Sequence, residues 1–347
     1  MMMKRRLLWM PVLLILIAAL TLVNLLIGTI DIEAGEIVSI LLGNKEASPE
    51  GIIHYNIIWK SRLPQTITAL IAGAGLSVSG LQMQTVFRNP LAGPSVLGIS
   101  NGAALGVAFV VLMSGQIGGT ALSQLGLMGD AALSIAAVAG ALAVLGLIAW
   151  VSSKIQSSVT LLIIGVMIGY LATAIIGVLK FFSIEEDVHA YVIWGLGSFA
   201  RVSAGQVWPF AAIMAVLLPL SMLLVKQMNL MLLGDRYARN LGLNIRRSRL
   251  LVILSSGTLV AIVTAYCGPI MFIGLAVPHL CRALFRTSDH RILMPATLMM
   301  GAVLALFCNL VARMPGYEGA LPVNSVTALI GAPVVAWVLF KKNKKSL

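Results

Sequence analysis

Residues 63–86 read LPQTITALIAGAGLSVSGLQMQTV, a stretch with no Asp, Glu, Lys or Arg. At 1.5 Å per residue an uncharged helix of this length crosses the roughly 30 Å of a bilayer's hydrocarbon. Nine further stretches read the same way: Leu7–Ile27, Ser95–Met113, Ala131–Trp150, Val159–Leu179, Val207–Val225, Leu250–Tyr266, Ile270–Cys281, Ile292–Ala312 and Val323–Phe340. The whole chain of 347 residues is 59% hydrophobic and only 10% charged, against about 25% charged in a soluble domain. A chain so poor in charge cannot cover a water-facing surface. That excludes a cytosolic enzyme, a disordered tail and a nucleic-acid binder. The expected fold is all-α: one membrane domain over residues 1–347, a bundle of ten transmembrane helices. The eighth stretch is short and holds Pro278, so it is expected to be broken or partly re-entrant. The first follows Lys4-Arg5-Arg6 as a signal peptide would, but its apolar run is too long for a signal core, and it is expected to be retained.

Charge sets the orientation. With the N-terminus inside and the sides alternating, 18 of the 24 basic residues fall inside with only Asp235 and Asp289. The other six (Lys45, Lys60, Arg62, Lys180, Arg201 and Arg313) fall outside with ten of the 12 acids. The net +12 thus divides into +16 inside and −4 outside, in keeping with the positive-inside rule. An even number of spans keeps the Lys-rich tail on the cytoplasmic side, so both termini are expected there. The excess of base reflects topology and attraction to anionic lipid, not a nucleic-acid footprint.

The spans lack the groups that ion-coupled carriers and voltage sensors place inside the membrane. No paired acids, activated Ser or His cluster points to an intramembrane enzyme. His54, His189, His279 and His290 lie in or beside loops and do not share metal-ligand spacing, and Cys267, Cys281 and Cys308 are too far apart for a metal or disulfide framework. No metal site is expected. Gly98, Gly102 and Gly106, and again Gly165 and Gly169, recur at four-residue spacing, which lets helix backbones approach closely.

Two inside loops carry information. Asn89, Pro90, Gly93 and Pro94 stop one helix and start the next. The longer loop, spanning 228–246, contains Gly234-Asp235-Arg236-Tyr237-Ala238-Arg239-Asn240-Leu241-Gly242. Asp235 is placed to cap a short helix and Gly242 to end it. Tyr237, Ala238 and Leu241 would share one face, with Arg236, Arg239 and Asn240 on the other. Such a helix lies on lipid headgroups or docks a cytoplasmic partner; its apolar face suits the second. The spans after Arg62 and after Arg249 run in opposite directions and are each followed by Gly-Pro, which points to an inverted repeat.

These blocks, in order, resemble a known family. They are Arg62-Leu63-Pro64, Gly73–Gly80, Phe87–Pro94, Leu97–Gly102, Trp194–Ser198, the Leu-Gly-Asp segment, Gly268–His279, Asp289-His290-Arg291 and Leu321–Pro333. The chain is similar to the FecCD-type permease subunits of ABC importers for iron–siderophore, haem and cobalamin. The resemblance implies a dimer, as a homodimer or with a related second permease, two ABC ATPase subunits inside and a solute-binding protein outside, in a bacterial inner membrane. It implies that Gly234–Gly242 is the coupling helix. It implies that Arg62 and Arg313, with Lys60 as helper, dock the binding protein; Gln65 stands where many relatives have a second Arg. It further implies that Met167, Tyr170, Thr173, Asn324, Ser325 and Thr327 line the pathway. The chain has no G-x-x-x-x-G-K-[ST] motif, so ATP and Mg²⁺ are expected on the ATPases, with no cofactor on this chain. An uncharged pathway suits a large chelate handed over by a binding protein, and the leading expectation for the cargo is an iron–siderophore chelate.

Overall fold

A computed structural model describes residues 9–28, 30–43, 48–113, 127–155, 157–313 and 321–343. The basic residues Lys4, Arg5, Arg6, Lys45, Lys344 and Lys345 lie outside the described residues. The described residues contain helices and no strand. In chain order these are α1 (Trp9–Leu26), α2 (Ala34–Leu41), α3 (Pro49–Ile57), α4 (Leu63–Phe87), α5 (Ile99–Leu112), α6 (Leu127–Lys154), α7 (Ser158–Phe181) and α8 (Glu185–Gly195). There follow α9 (Ala204–Met222), α10 (Val225–Leu232), α11 (Asp235–Asn240), α12 (Ile245–Cys267), α13 (Ile273–Phe285), α14 (His290–Ala312) and α15 (Val323–Asn343). Seven helical segments are long and apolar enough to cross a membrane, and three shorter apolar helices lie at Ile99–Leu112, Ile273–Phe285 and Val323–Ala336. Together they correspond to the ten stretches read from sequence.

The eighth stretch needs correction. Its helix begins at Ile273, after a non-helical Gly268–Met271 segment and Phe272 at φ 67°. It runs on to Phe285 and so carries Arg282, which the sequence reading left in a loop. Arg282 Nη1 donates to Gln84 Oε1 at 2.6 Å. The side chains of His279 and His290 are likewise buried on helices rather than free in loops.

α4 is the centre of the bundle, packed by α14, α12, α13 and α9. Its small and polar residues explain how. A Cβ on Gly80 would collide with the Gly274 carbonyl, and one on Gly73 with that of Gly301. Ser77 Oγ donates to Thr297 O at 2.9 Å. Where α4 meets α12, Ser79 and Ser256 exchange hydrogen bonds reciprocally, each hydroxyl lying 3.1 Å from the other's carbonyl. The glycine rows do the same between α5 and α6, where a Cβ on Gly102 would sit 2.6 Å from Gly140 O. Gly98 in turn packs against Gly165 and Gly169 of α7.

α4 is not preceded by a loop. The helix runs from Pro49 through a π turn at Ile58–Arg62. Pro64 has no N–H to give the helical ladder, and widening the turn accommodates the missing donor. At this end α2 and α3 form a small satellite core of Ile32, Ile37, Ile40 and Ile58, pinned by Glu36 and His54 at 2.6 Å.

Candidate functional site

The inner face is organised around α11. Gly234 (φ 96°) and Gly242 (φ 82°) bracket it in backbone conformations that suit glycine. The helix docks on its own chain through Ala238, which is fully buried. Tyr237 and Leu241 are 71% and 61% exposed. With Leu233 and Asn240 they line a hollow of about 320 Å³. The apolar face therefore differs from the sequence reading: Ala238 points inward, and Leu233, just before the helix, joins Tyr237 and Leu241.

Asp235 does not cap α11; Gly234 is the N-cap residue and no side chain accepts there. Its carboxylate is held by Arg88 Nη2 through one oxygen, and by Arg249 Nη2 at 3.6 Å through the other. Arg88 closes α4 in the left-handed region at φ 46° and also donates to Met231 O at 3.1 Å. The α11 segment is thus clipped to the end of the central helix and to α12. Neither arginine was assigned a role from sequence, because their partner lies far along the chain and no local pattern marks it.

The loop between α4 and α5 adjoins this clip. Asn89 Oδ1 accepts from Leu91 N at 2.9 Å, His279 Nε2 donates to Pro90 O at 2.7 Å, and Gly93 precedes the 3₁₀ turn that Pro94 opens. Just before α11, Asn229 of α10 donates to Asp289 Oδ1 at 2.7 Å and accepts from His290 N at 2.8 Å. His290 Nε2 lies 2.9 Å from Thr85 Oγ1 of α4. Two polar connections therefore join the inner loops to the bundle's centre.

At the outer end the expected docking set separates. Arg62 is 1% exposed. Its guanidinium donates to Leu25 O at 2.7 Å, to Leu26 O at 2.8 Å and to Ile30 O. Arg313 Nη1 donates to Asn24 O at 3.2 Å. Both cations thus close the C-terminal end of α1, where free carbonyls and the helix dipole favour positive charge. Burial, and then the neighbouring Arg62, hold the Arg313 guanidinium down to about 10. In this conformation Arg62 has no surface for a partner's carboxylate. Of the three residues only Lys60 is exposed.

The pathway set separates too. Met167, Tyr170 and Thr173 on α7 and Ser325 on α15 are exposed. Asn324 instead holds the segment before α13, its Oδ1 accepting from Met271 N at 3.0 Å. Thr327 is buried and donates to Asn324 O at 2.9 Å, which removes it from any lining surface.

Comparison with known proteins agrees with this architecture. The model of the FecCD transport family matches residues 14–341. The vitamin B12 import system permease protein BtuC of Citrobacter koseri is 37% identical over 291 residues, covering 83% of this chain and 84% of that protein. BtuC of Salmonella typhi is 36% identical over 285 residues, 82% and 83% of the two chains. A solved structure described as an inward-facing conformation of a metal-chelate type ABC transporter superposes with a TM-score of 0.81 at 29% identity, covering 96% of this chain and 98% of that one. This chain is a membrane-embedded ABC importer permease belonging to the FecCD transport family.

Proposed function

We propose that the chain is the homodimeric permease of a bacterial inner-membrane importer, with two ATPases docked on α11 and a solute-binding protein delivering cobalamin from outside. The observation that carries the coupling role is the exposed apolar patch of Leu233, Tyr237 and Leu241 on a helix clipped to the bundle through Asp235. When the ATPases close on ATP, they displace α11. Arg88 and Arg249 pass that displacement to α4 and α12, and the bundle switches the side to which it opens. The exposed face of α7, with Met167, Tyr170 and Thr173, supplies the surface for the second copy and the pathway between them. Lys60 is the exposed outer cation for the binding protein's acids.

Cobalamin takes precedence over the iron–siderophore chelate expected from sequence because relatives at 36–37% identity are named for vitamin B12 import. An iron chelate is the second reading, favoured by the metal-chelate description of the solved relative. Uptake of radiolabelled cobalamin and of a radiolabelled ferric siderophore into cells carrying the complete system separates the two. ATP depletion should abolish uptake and collapse of the proton gradient should not; the reverse pattern overturns the ABC mechanism. Tyr237→Ala with Leu241→Ala should release the ATPase during co-purification, and retention of a fully coupled ATPase would sink the docking assignment.

A further inference from the structure

A cavity of about 370 Å³ opens at the inner ends of α6 and α12, beside α11. Ser152, Lys154, Arg239, Arg246 and Arg249 line it, with Asp235 as its one carboxylate among the described residues. That carboxylate is already engaged by Arg88 and Arg249, so the positive charge of the remaining walls is not cancelled. Arg246 Nη2 donates to Ser153 O at the last turn of α6, which anchors its guanidinium at the rim. α12 starts here, capped by Asn244, whose Oδ1 accepts from Arg247 N at 3.0 Å. Its free N-terminal amides and dipole add to the positive field.

The second observation is the accessibility of the cations: Lys154, Arg239 and Arg246 are all exposed at these walls, so their charged heads are free to share one anion. We propose that this cavity binds a phosphate group. Tetrahedral oxygens can be shared between arginine forks and a lysine ammonium. The walls are the cytoplasmic ends of two membrane-crossing helices, the depth at which inner-leaflet phosphates lie. The group comes from an anionic lipid headgroup or from free phosphate; in either case it bridges α6 to α11 through Arg239 and so stiffens the coupling segment.

The test uses the full chain, purified and delipidated in an uncharged detergent. Thermal stabilisation is titrated with short-chain phosphatidylglycerol, short-chain phosphatidylcholine and inorganic phosphate. Phosphatidylglycerol should stabilise the wild type, less so at high salt, and phosphatidylcholine should not. Lys154→Gln with Arg246→Gln should weaken that binding at least about tenfold, as loss of one charge-assisted contact predicts. Arg246→Lys, which keeps the charge, should retain most of it. Stabilisation by inorganic phosphate as well identifies free phosphate as sufficient; stabilisation by phosphatidylglycerol alone identifies the lipid. Equal binding to the wild type and the double variant overturns the proposal. So does failure of both probes to bind the wild type, including the case in which the double variant instead loses its ATPase, which would assign the cavity to a protein carboxylate.

Discussion

Replacing Arg62 by Met separates a structural role from a docking role. In the structure the guanidinium serves the carbonyls of Leu25, Leu26 and Ile30. Methionine fills much of the same volume and leaves all three without their donor. A buried acceptor stripped of its partner costs about 1–3 kcal/mol. The bond to Leu25 is fully buried, whereas those to Leu26 and Ile30 are partly open, so water recovers some of their loss. The sum is about 2–5 kcal/mol of stability. Arg62→Lys should fall between, because one ammonium cannot span three carbonyls as a planar fork does. Gly28→Ala offers an uncharged check. Its Cβ would sit 2.6 Å from Arg62 Nη2 and 2.8 Å from Cζ, pushing the guanidinium off the α1 terminus and reproducing part of the loss. The assays are denaturant unfolding in micelles and the affinity of the binding protein at low and high salt. Unchanged stability of Arg62→Met, together with a salt-dependent loss of binding-protein affinity, would refute the reasoning and return Arg62 to the outer surface.

Three other outcomes are expected. Gly102→Val should destabilise the bundle by at least about 1–3 kcal/mol, since the new side chain meets the Gly140 carbonyl and backbone cannot yield as a side-chain tip can; unfolding identical to wild type would exclude close α5–α6 packing. Asp235→Asn should lower global stability by about 1–2 kcal/mol, because its pairing with Arg88 is partly exposed but the buried Arg249 guanidinium loses its carboxylate, and should lower transport per ATP hydrolysed; an unchanged ratio would show that the clip transmits nothing. Asp289 caps α14 by accepting from Arg291 N at 2.9 Å. That backbone bond, with help from Asn229, holds its carboxyl below the ordinary carboxylate range. Its contribution is therefore present above the unfolded pKa of about 3.9 and lost as pH falls through the lower folded value. Asp289→Asn keeps a capping oxygen and should flatten the acid limb of stability measured from pH 6 downward; an unaltered limb would remove Asp289 from it.

Much of the inner site was legible. Glycines at 234 and 242 around a short amphipathic run announced α11, and its exposed Tyr237 and Leu241 follow from that pattern. Ala238 was misplaced because a six-residue helix has too few turns for periodicity to tell a docked face from a free one. The roles of Arg88, Arg249, Arg62 and Arg313 were not legible, since each depends on a carbonyl or carboxylate brought close only by folding. An arginine at a span end reads the same whether it faces water or closes a neighbouring helix.

By itself the sequence determined how many segments enter the membrane, roughly where they lie and which loops face the cytoplasm. Charge in hydrocarbon is penalised residue by residue, and that penalty is local. Only the tertiary structure decided which span is the core. Leu63–Val86 and Val159–Leu179 both read as spans, yet in the most apolar 18 residues of the corresponding helices 83% are buried within the chain in the first and only 28% in the second. Lipid tails are as apolar as a protein interior, so hydropathy does not separate a lipid-facing helix from a buried one. Serine, glutamine and glycine side by side on α4 are tolerated there because α12, α13 and α14 supply their partners, and that arrangement exists only once the helices have met.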